Sequence, residues 1–270
     1  MGQPVHYLPE SEPVFGVTLL AGELYLLRRK ERDQVEVYDV ISYHLLRRLT
    51  VPGICGVGDM ISCEHYRCVY IGDNTDECVH RLDPQGAFTR WAVNDLPWGL
   101  SVNTAHNVIV ECRFVCKIKE FSSHGDLLRE IALPGEVINP HHAIQTRRGQ
   151  FIVCHGGGDD TVHRVCVMSA DGRHIVHSHG GQRGSNTGQY DVPRHLAVDD
   201  NEFVFVADVI NRRVTLLSPT LQYVGQVVSR DQLKWRPNGA YLDTQRRLLY
   251  IADNDFQLQK SLGRVVVVRV

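Results

Sequence analysis

Two kinds of side chain in this sequence have the chemistry to hold a ligand: cations set close to aromatic rings, and histidines that recur in similar contexts. Arg28 and Arg29, Trp98, Arg113 and Phe114, His141, Arg194, Arg212, and Trp235 and Arg236 are spread along the whole chain. A guanidinium beside an aromatic ring can grip a phosphate while a base stacks on the ring. The same pair accepts a carboxylate or an aromatic anchor from a peptide. Acidic neighbours, among them Glu31, Asp33, Asp95, Asp208 and Asp231, support a plainer reading as solvated charges and framework rings. Other constellations carry less. GGGDD at 156–160 has no P-loop lysine after it and reads as an insertion. GGQRGSNTGQ at 180–189 reads as a flexible connection that carries Arg183. No GxSxG nucleophile elbow occurs.

The elements that must position these residues repeat. Apolar runs ending in a polar pair occur as CVYIGDN at 68–74, FVFVAD at 203–208 and LLYIADN at 248–254. Weaker relatives are LYLLRR at 24–29, NVIVEC at 107–112 and QFIVCH at 150–155. Their matched positions, Leu27, Ile71, Val110, Val153, Val206 and Ile251, are spaced by 44, 39, 43, 53 and 45 residues. Upstream of each lies a short run that often follows proline: PWGLSV, PHHAIQ, PRHLAV and PNGAYL. Downstream come a second alternating run and then a charged one. The runs are short, β-branched or aromatic, and bounded by turn residues, and none sustains a helical stripe.

Four strands in each of six copies predict an all-β, six-bladed β-propeller of four-stranded antiparallel blades. The blades are expected at about 14–52, 57–94, 96–134, 139–181, 192–229 and 236–270. The sixth copy lacks a last strand, and the strand-like segment Pro4–Leu8 is expected to supply it, closing the ring and covering an open edge. In this arrangement the cations and rings above gather on one face, around the mouth of the channel.

Composition narrows the partners. With 29 basic and 31 acidic residues the net charge is -2, which argues against a generally basic nucleic-acid binder. Double-stranded DNA is not an expected partner; a protein segment or single-stranded RNA is. The eight cysteines lie mostly in apolar runs without a CxxC pair, and read as reduced core residues. No apolar run approaches the roughly 20 residues of a membrane helix, and the first residues carry no secretory pattern. A cytoplasmic protein without membrane contact and without cofactor is the expectation.

The fifth copy, PRHLAVDDNEFVFVADVINRRVTLLSPTLQYVG, resembles an NHL repeat. Pro193, Asp199, Ala207, Asp208, Asn211, Arg213 and Val214 fall on the family pattern. The sixth copy keeps Pro237, Asp243, Ala252, Asp253 and Asn254, then Arg264 and Val265 after an insertion. The second keeps Gly72, Asp73 and Asn74, whereas Arg29, Cys112 and His155 replace the aspartate in the other three. The chain is similar to the NHL domains of tripartite-motif proteins. That resemblance implies a non-enzymatic platform for protein or RNA, such as the substrate-recognition part of a tripartite-motif-like protein. It also brings in a rival, because the peptide-amidating lyase propeller resembles NHL repeats and holds zinc with histidines near its channel. His142 and His195 occupy equivalent places in neighbouring copies, with Asp59 or His155 as a third ligand for a zinc-dependent lyase or hydrolase.

Overall fold

A computed structural model of the chain describes residues 2–28, 34–157, 162–255 and 261–270. The chain opens with β1 (Gln3–Tyr7). Blade 1 follows as β2 (Val14–Leu20), β3 (Glu23–Arg28), β4 (Gln34–Asp39) and β5 (Leu45–Thr50). Blade 2 is β6 (Val57–Cys63), β7 (Cys68–Asp73), β8 (Cys78–Leu82) and β9 (Phe88–Ala92). Blade 3 is β10 (Pro97–Val102), β11 (Val108–Cys112), β12 (Lys117–Phe121) and β13 (Leu127–Ala132). Blade 4 is β14 (Pro140–Gln145), β15 (Phe151–His155), β16 (His163–Met168) and β17 (Ile175–Gly181). Blade 5 is β18 (Pro193–Val198), β19 (Val204–Asp208), β20 (Arg213–Leu217) and β21 (Tyr223–Val228). Blade 6 is β22 (Arg236–Asp243), β23 (Leu248–Asp255) and β24 (Leu262–Arg269), completed by β1.

The six sheets are antiparallel and four-stranded, and the innermost strands β2, β6, β10, β14, β18 and β22 pack in a closed ring. The second strands read as nearly unbroken apolar runs because both of their faces are covered: β7 and β19 are buried along their whole length. Each of six apolar clusters lies between two neighbouring blades; one joins Ile71 and Leu82 of blade 2 to Tyr25 and Val37 of blade 1. The outermost strands face solvent and tolerate charge, as in FTRWA of β9. Gly86, at φ +90° in the DPQG turn, takes a conformation that side chains resist.

The expected closure is observed. Gln3 pairs with Arg269 and Tyr7 with Val266, so β1 covers the edge that β24 would otherwise present. Leu8 is buried among Val14, Val17, Val265 and Val267, and the His6 ring stacks on Tyr43 at 4.1 Å, tying the closing strand to blade 1 as well.

Register corrects two readings in blade 1. Gly16 pairs with Leu27 as Gly99 pairs with Glu111 and His195 with Ala207, so Leu26, not Leu27, is the counterpart of Val110 and Val206. By the same shift Arg28, opposite Val14, takes the place that Asp208 takes opposite Pro193. Arg29, expected there, lies outside the described residues. The cysteines form no disulfide, but they are not uniformly core: Cys55 is exposed and Cys116 half-buried. Among the described residues no helix is long and apolar enough to cross a membrane.

Candidate functional site: the channel mouth

A backbone irregularity builds the site. Each innermost strand slips register near its start, between Val14 and Gly16, Val57 and Met60, Pro97 and Gly99, Pro140 and His142, Pro193 and His195, and Pro237 and Gly239. A bulge leaves one residue unpaired and re-aims its side chain. The residues so released are Phe15, Gly58 with Asp59, Trp98, His141, Arg194 and Asn238, and together they line a small recess at the mouth of the channel. His195 forms part of its floor.

Trp98 is the centre of the upper layer. The guanidinium of Arg113 lies 4.8 Å from its ring centroid and that of Arg194 5.3 Å, within the range of cation–π attraction. Phe114 meets Trp98 edge-on at 6.1 Å and is largely exposed. Burial and the nearby Arg113 pull the Arg194 guanidinium down to about 10, which leaves it charged at neutral pH. Burial, then Arg113 and Arg194, hold His141 well below the ordinary imidazole value, so it is neutral.

Asp59, His142 and His195 form the floor. Asp59 Oδ1 accepts the N–H of Met60 at 2.8 Å and Oδ2 that of Leu100 at 3.0 Å. Nε2 of His195 stands 3.4 Å, and Nε2 of His142 3.6 Å, from the same Oδ2. Burial alone would raise this carboxyl; the imidazoles and the Leu100 N–H more than offset it and keep Asp59 below its usual value. Burial and the adjacent His195 push His142 down to about 3. An ionised aspartate beside two stacked imidazoles thus bars the channel. Beneath it the shaft is lined mainly by apolar residues of the innermost strands, such as Val17, Leu100, Ile144 and Leu196.

The ring orientations decide what this bar can bind. Nε2 of His142 donates to the Leu100 carbonyl at 3.0 Å, so it carries a hydrogen. Nδ1 of His195 accepts the Ala240 N–H at 3.3 Å, so its Nε2 carries the hydrogen aimed at Asp59. The two rings stack at 4.0 Å between centroids with planes 28° apart. A metal lies in the plane of each imidazole that ligates it, and two rings stacked face to face do not share such a point. The residues therefore do not fit the zinc centre that the histidines suggested. His155, the other candidate third ligand, instead accepts a hydrogen bond at Nε2 from Arg164 at 2.9 Å.

Of the residues expected on the binding face, Trp98, Arg113, Phe114, His141 and Arg194 come together. Arg28 and Arg212 do not join them. Arg28 is buried, pairing with Glu36 at 2.9 Å and donating to the Glu12 carbonyl at 2.7 Å. Arg212 donates to the carbonyls of Leu233, Lys234 and Trp235 and so clamps the loop before β22. Trp235, on that loop, lies beneath Lys234 at 4.6 Å, away from the recess, and Arg236 is half-buried at the start of β22. Sequence reasoning missed Phe15 and Asn238. Asn238 follows Pro237 as Trp98 follows Pro97, so its signal was present; Phe15 has no proline to mark it.

No protein-family model matches the chain, and no curated protein matches it. Solved structures do. Virginiamycin B lyase from Staphylococcus aureus is 9% identical, over 97% of this chain and 99% of that one, with a TM-score of 0.65. Hydrazine synthase from Kuenenia stuttgartiensis is 13% identical over 97% and 96%, with a TM-score of 0.67. The Swd1 β-propeller domain of Myceliophteria thermophila is 9% identical over the full length of both chains, with a TM-score of 0.66. This is a six-bladed β-propeller. At such identities the likeness carries the fold and not the activity, since one fold hosts many functions.

Proposed function

We propose that this propeller is a non-enzymatic, NHL-like binding platform whose channel mouth takes an acidic protein segment, as the substrate-recognition part of a tripartite-motif-like protein would. One observation carries the reading: Trp98 is flanked by Arg113 and Arg194 above a recess that holds one residue or more from every blade. Among the described residues Arg194 has no carboxylate within ion-pair distance, so its charge is available to a ligand. A carboxylate between the two guanidinia, with an aromatic or aliphatic side chain on Trp98 and Phe114, matches what anchors peptides. The negative charge of Asp59 is already matched by the hydrogen bonds it accepts.

Single-stranded RNA fits less well. It needs a succession of phosphate contacts, yet Arg28 and Arg212 serve the scaffold and the net charge is -2. Selection of displayed peptides on the purified protein is expected to return acidic sequences with an aromatic residue. Trp98→Ala and Arg194→Ala should each weaken a selected peptide by at least about tenfold, the scale of one hot-spot residue. Oligouridine that binds more tightly than any selected peptide, with affinity falling steeply in salt, would turn the assignment to RNA.

A second reading rests on the place of His195 and Asp59 in the same recess. A lyase or hydrolase there works without zinc shared by His142 and His195, whose lone pairs do not converge. Turnover of a test substrate that is lost in His195→Ala would favour it.

A further inference from the structure

The repeat offers its own internal comparison. In blades 5 and 6 the aspartate at or near the end of the second strand is faced, across the hairpin, by an arginine. Asp208 pairs with Arg213 and Asp253 with Arg264, each guanidinium Nε contacting the carboxylate, at 2.8 and 2.9 Å. Blade 2 keeps the aspartate but not the arginine. Asp73 is opposite Cys78, and two residues further along the same face of β8 comes His80. All three are buried, Asp73 and His80 completely. The position that elsewhere holds a cation here holds a thiol and an imidazole.

The donors converge. Nε2 of His80 lies 3.4 Å from Cys78 Sγ and 3.5 Å from Asp73 Oδ2, and all three ligand atoms lie within 4.8 Å of one another. Tetrahedral zinc, with bonds of about 2.0 Å to nitrogen or oxygen and about 2.3 Å to sulfur, sets neighbouring ligand atoms roughly 3.3–3.6 Å apart. Asp73 is rigidly aimed. Oδ1 accepts the N–H groups of Gly56, Thr75 and Asp76 at 2.9, 3.0 and 3.1 Å, and Oδ2 accepts that of Cys55 at 2.7 Å. Oδ2 is the oxygen that faces His80, and it retains capacity for a further partner. Cys55, which groups with Asp73 and Asp76 rather than with Cys78 and His80, is exposed and marks the side of the site nearest solvent.

Unlike the bar across the channel, among the described residues no ring stacking or backbone carbonyl occupies Nε2 of His80. A thiolate, an imidazole and a carboxylate together select zinc rather than calcium or magnesium. We propose that Asp73, Cys78 and His80 form a three-ligand zinc site in blade 2, beside the segment that enters it, with water as the fourth ligand. The ion takes the place of the arginine in blades 5 and 6 and fastens the segment that enters blade 2. This proposal is independent of the channel mouth.

Zinc alone is the probe. Protein loaded with Zn²⁺ and desalted should retain a single equivalent per chain by mass spectrometry of the metal. Cobalt in its place should show the thiolate charge-transfer absorption of a tetrahedral sulfur-bound site. Chelation should lower the melting temperature, and added zinc should restore it. Cys78→Arg restores the pairing of blades 5 and 6; it should fold, bind no zinc and melt identically with or without chelator. Should that variant fail to fold, Cys78→Ser changes a single atom and should weaken zinc at least tenfold. His195→Ala should retain the metal. Loaded wild-type protein that holds no zinc, or zinc that survives in Cys78→Arg or Cys78→Ser and disappears in His195→Ala, overturns the proposal.

Discussion

Glu111 on β11 has no exposed surface, and neither of its carboxylate oxygens meets a hydrogen-bond donor. It stands opposite Gly99, which leaves room for it. Burial pushes its pKa well above the ordinary value, with Arg113 pulling weakly the other way. The folded chain therefore holds a proton that the unfolded chain releases near pH 4.3, and stability falls as pH rises above that point. Glu111→Gln should remove this penalty. Its stability to urea should match that of the wild type near pH 4 and exceed it at pH 8, by at least about 1 kcal/mol of unfolding free energy. A gain that does not change with pH would point to packing instead. Residues of this kind were legible only in part. Trp98, His141 and Arg194 could be picked out because a proline precedes each of them. Glu111 could not, since nothing in NVIVEC tells which apolar neighbours will enclose it. Nor could the grouping of Asp73, Cys78 and His80, whose spacing matches no metal motif and which meet only through a hairpin and its side-chain alternation.

At the scale of elements, the register slip at the start of each innermost strand does most to make a site. An extra residue in a strand has no compositional mark of its own, so the bulges stayed invisible while the strands themselves were plain. The same blindness placed blade 1 one residue out. Leu26 and Leu27 are both apolar and both buried, and a run without alternation does not fix its own phase. The closing strand was readable because the sixth copy lacked a partner and Pro4–Leu8 lacked a blade. Its contribution can be measured. Removal of residues 2–8 uncovers β24, whose Val265–Val268 run is strongly β-prone. The truncated protein should melt on the order of 10 °C lower. It should also self-associate in light scattering, as unpaired edges do. An unchanged, monodisperse protein would mean that β1 is ornamental.

For the whole molecule the decisive property is circular equivalence. Gln3 and Arg269 are paired neighbours, so the two ends of the described chain lie side by side. A permuted protein, with those ends joined by a short Gly/Ser link and opened at Gly86, would begin with β9 and end with β8. That arrangement repeats in blade 2 the division of one strand and three that closes blade 6. It should fold with the same circular dichroism and melt within a few degrees of the parent, because loop tips of this kind tolerate new termini. Failure to fold would show that blade 6 is privileged. The ring itself was the most legible level, since the six-fold recurrence of strand, turn and strand leaves few other ways to bury both faces of every sheet.

The closing strand has one more consequence. Tyr7 leaves the ribosome long before Val266, its partner, has been made. At about 5–20 residues per second the delay lasts tens of seconds. Throughout translation the nascent blades can stack but the circle stays open, and the leading segment has nowhere to dock. Any chaperone that attends this protein during synthesis has its longest opportunity at the strand that waits for β24.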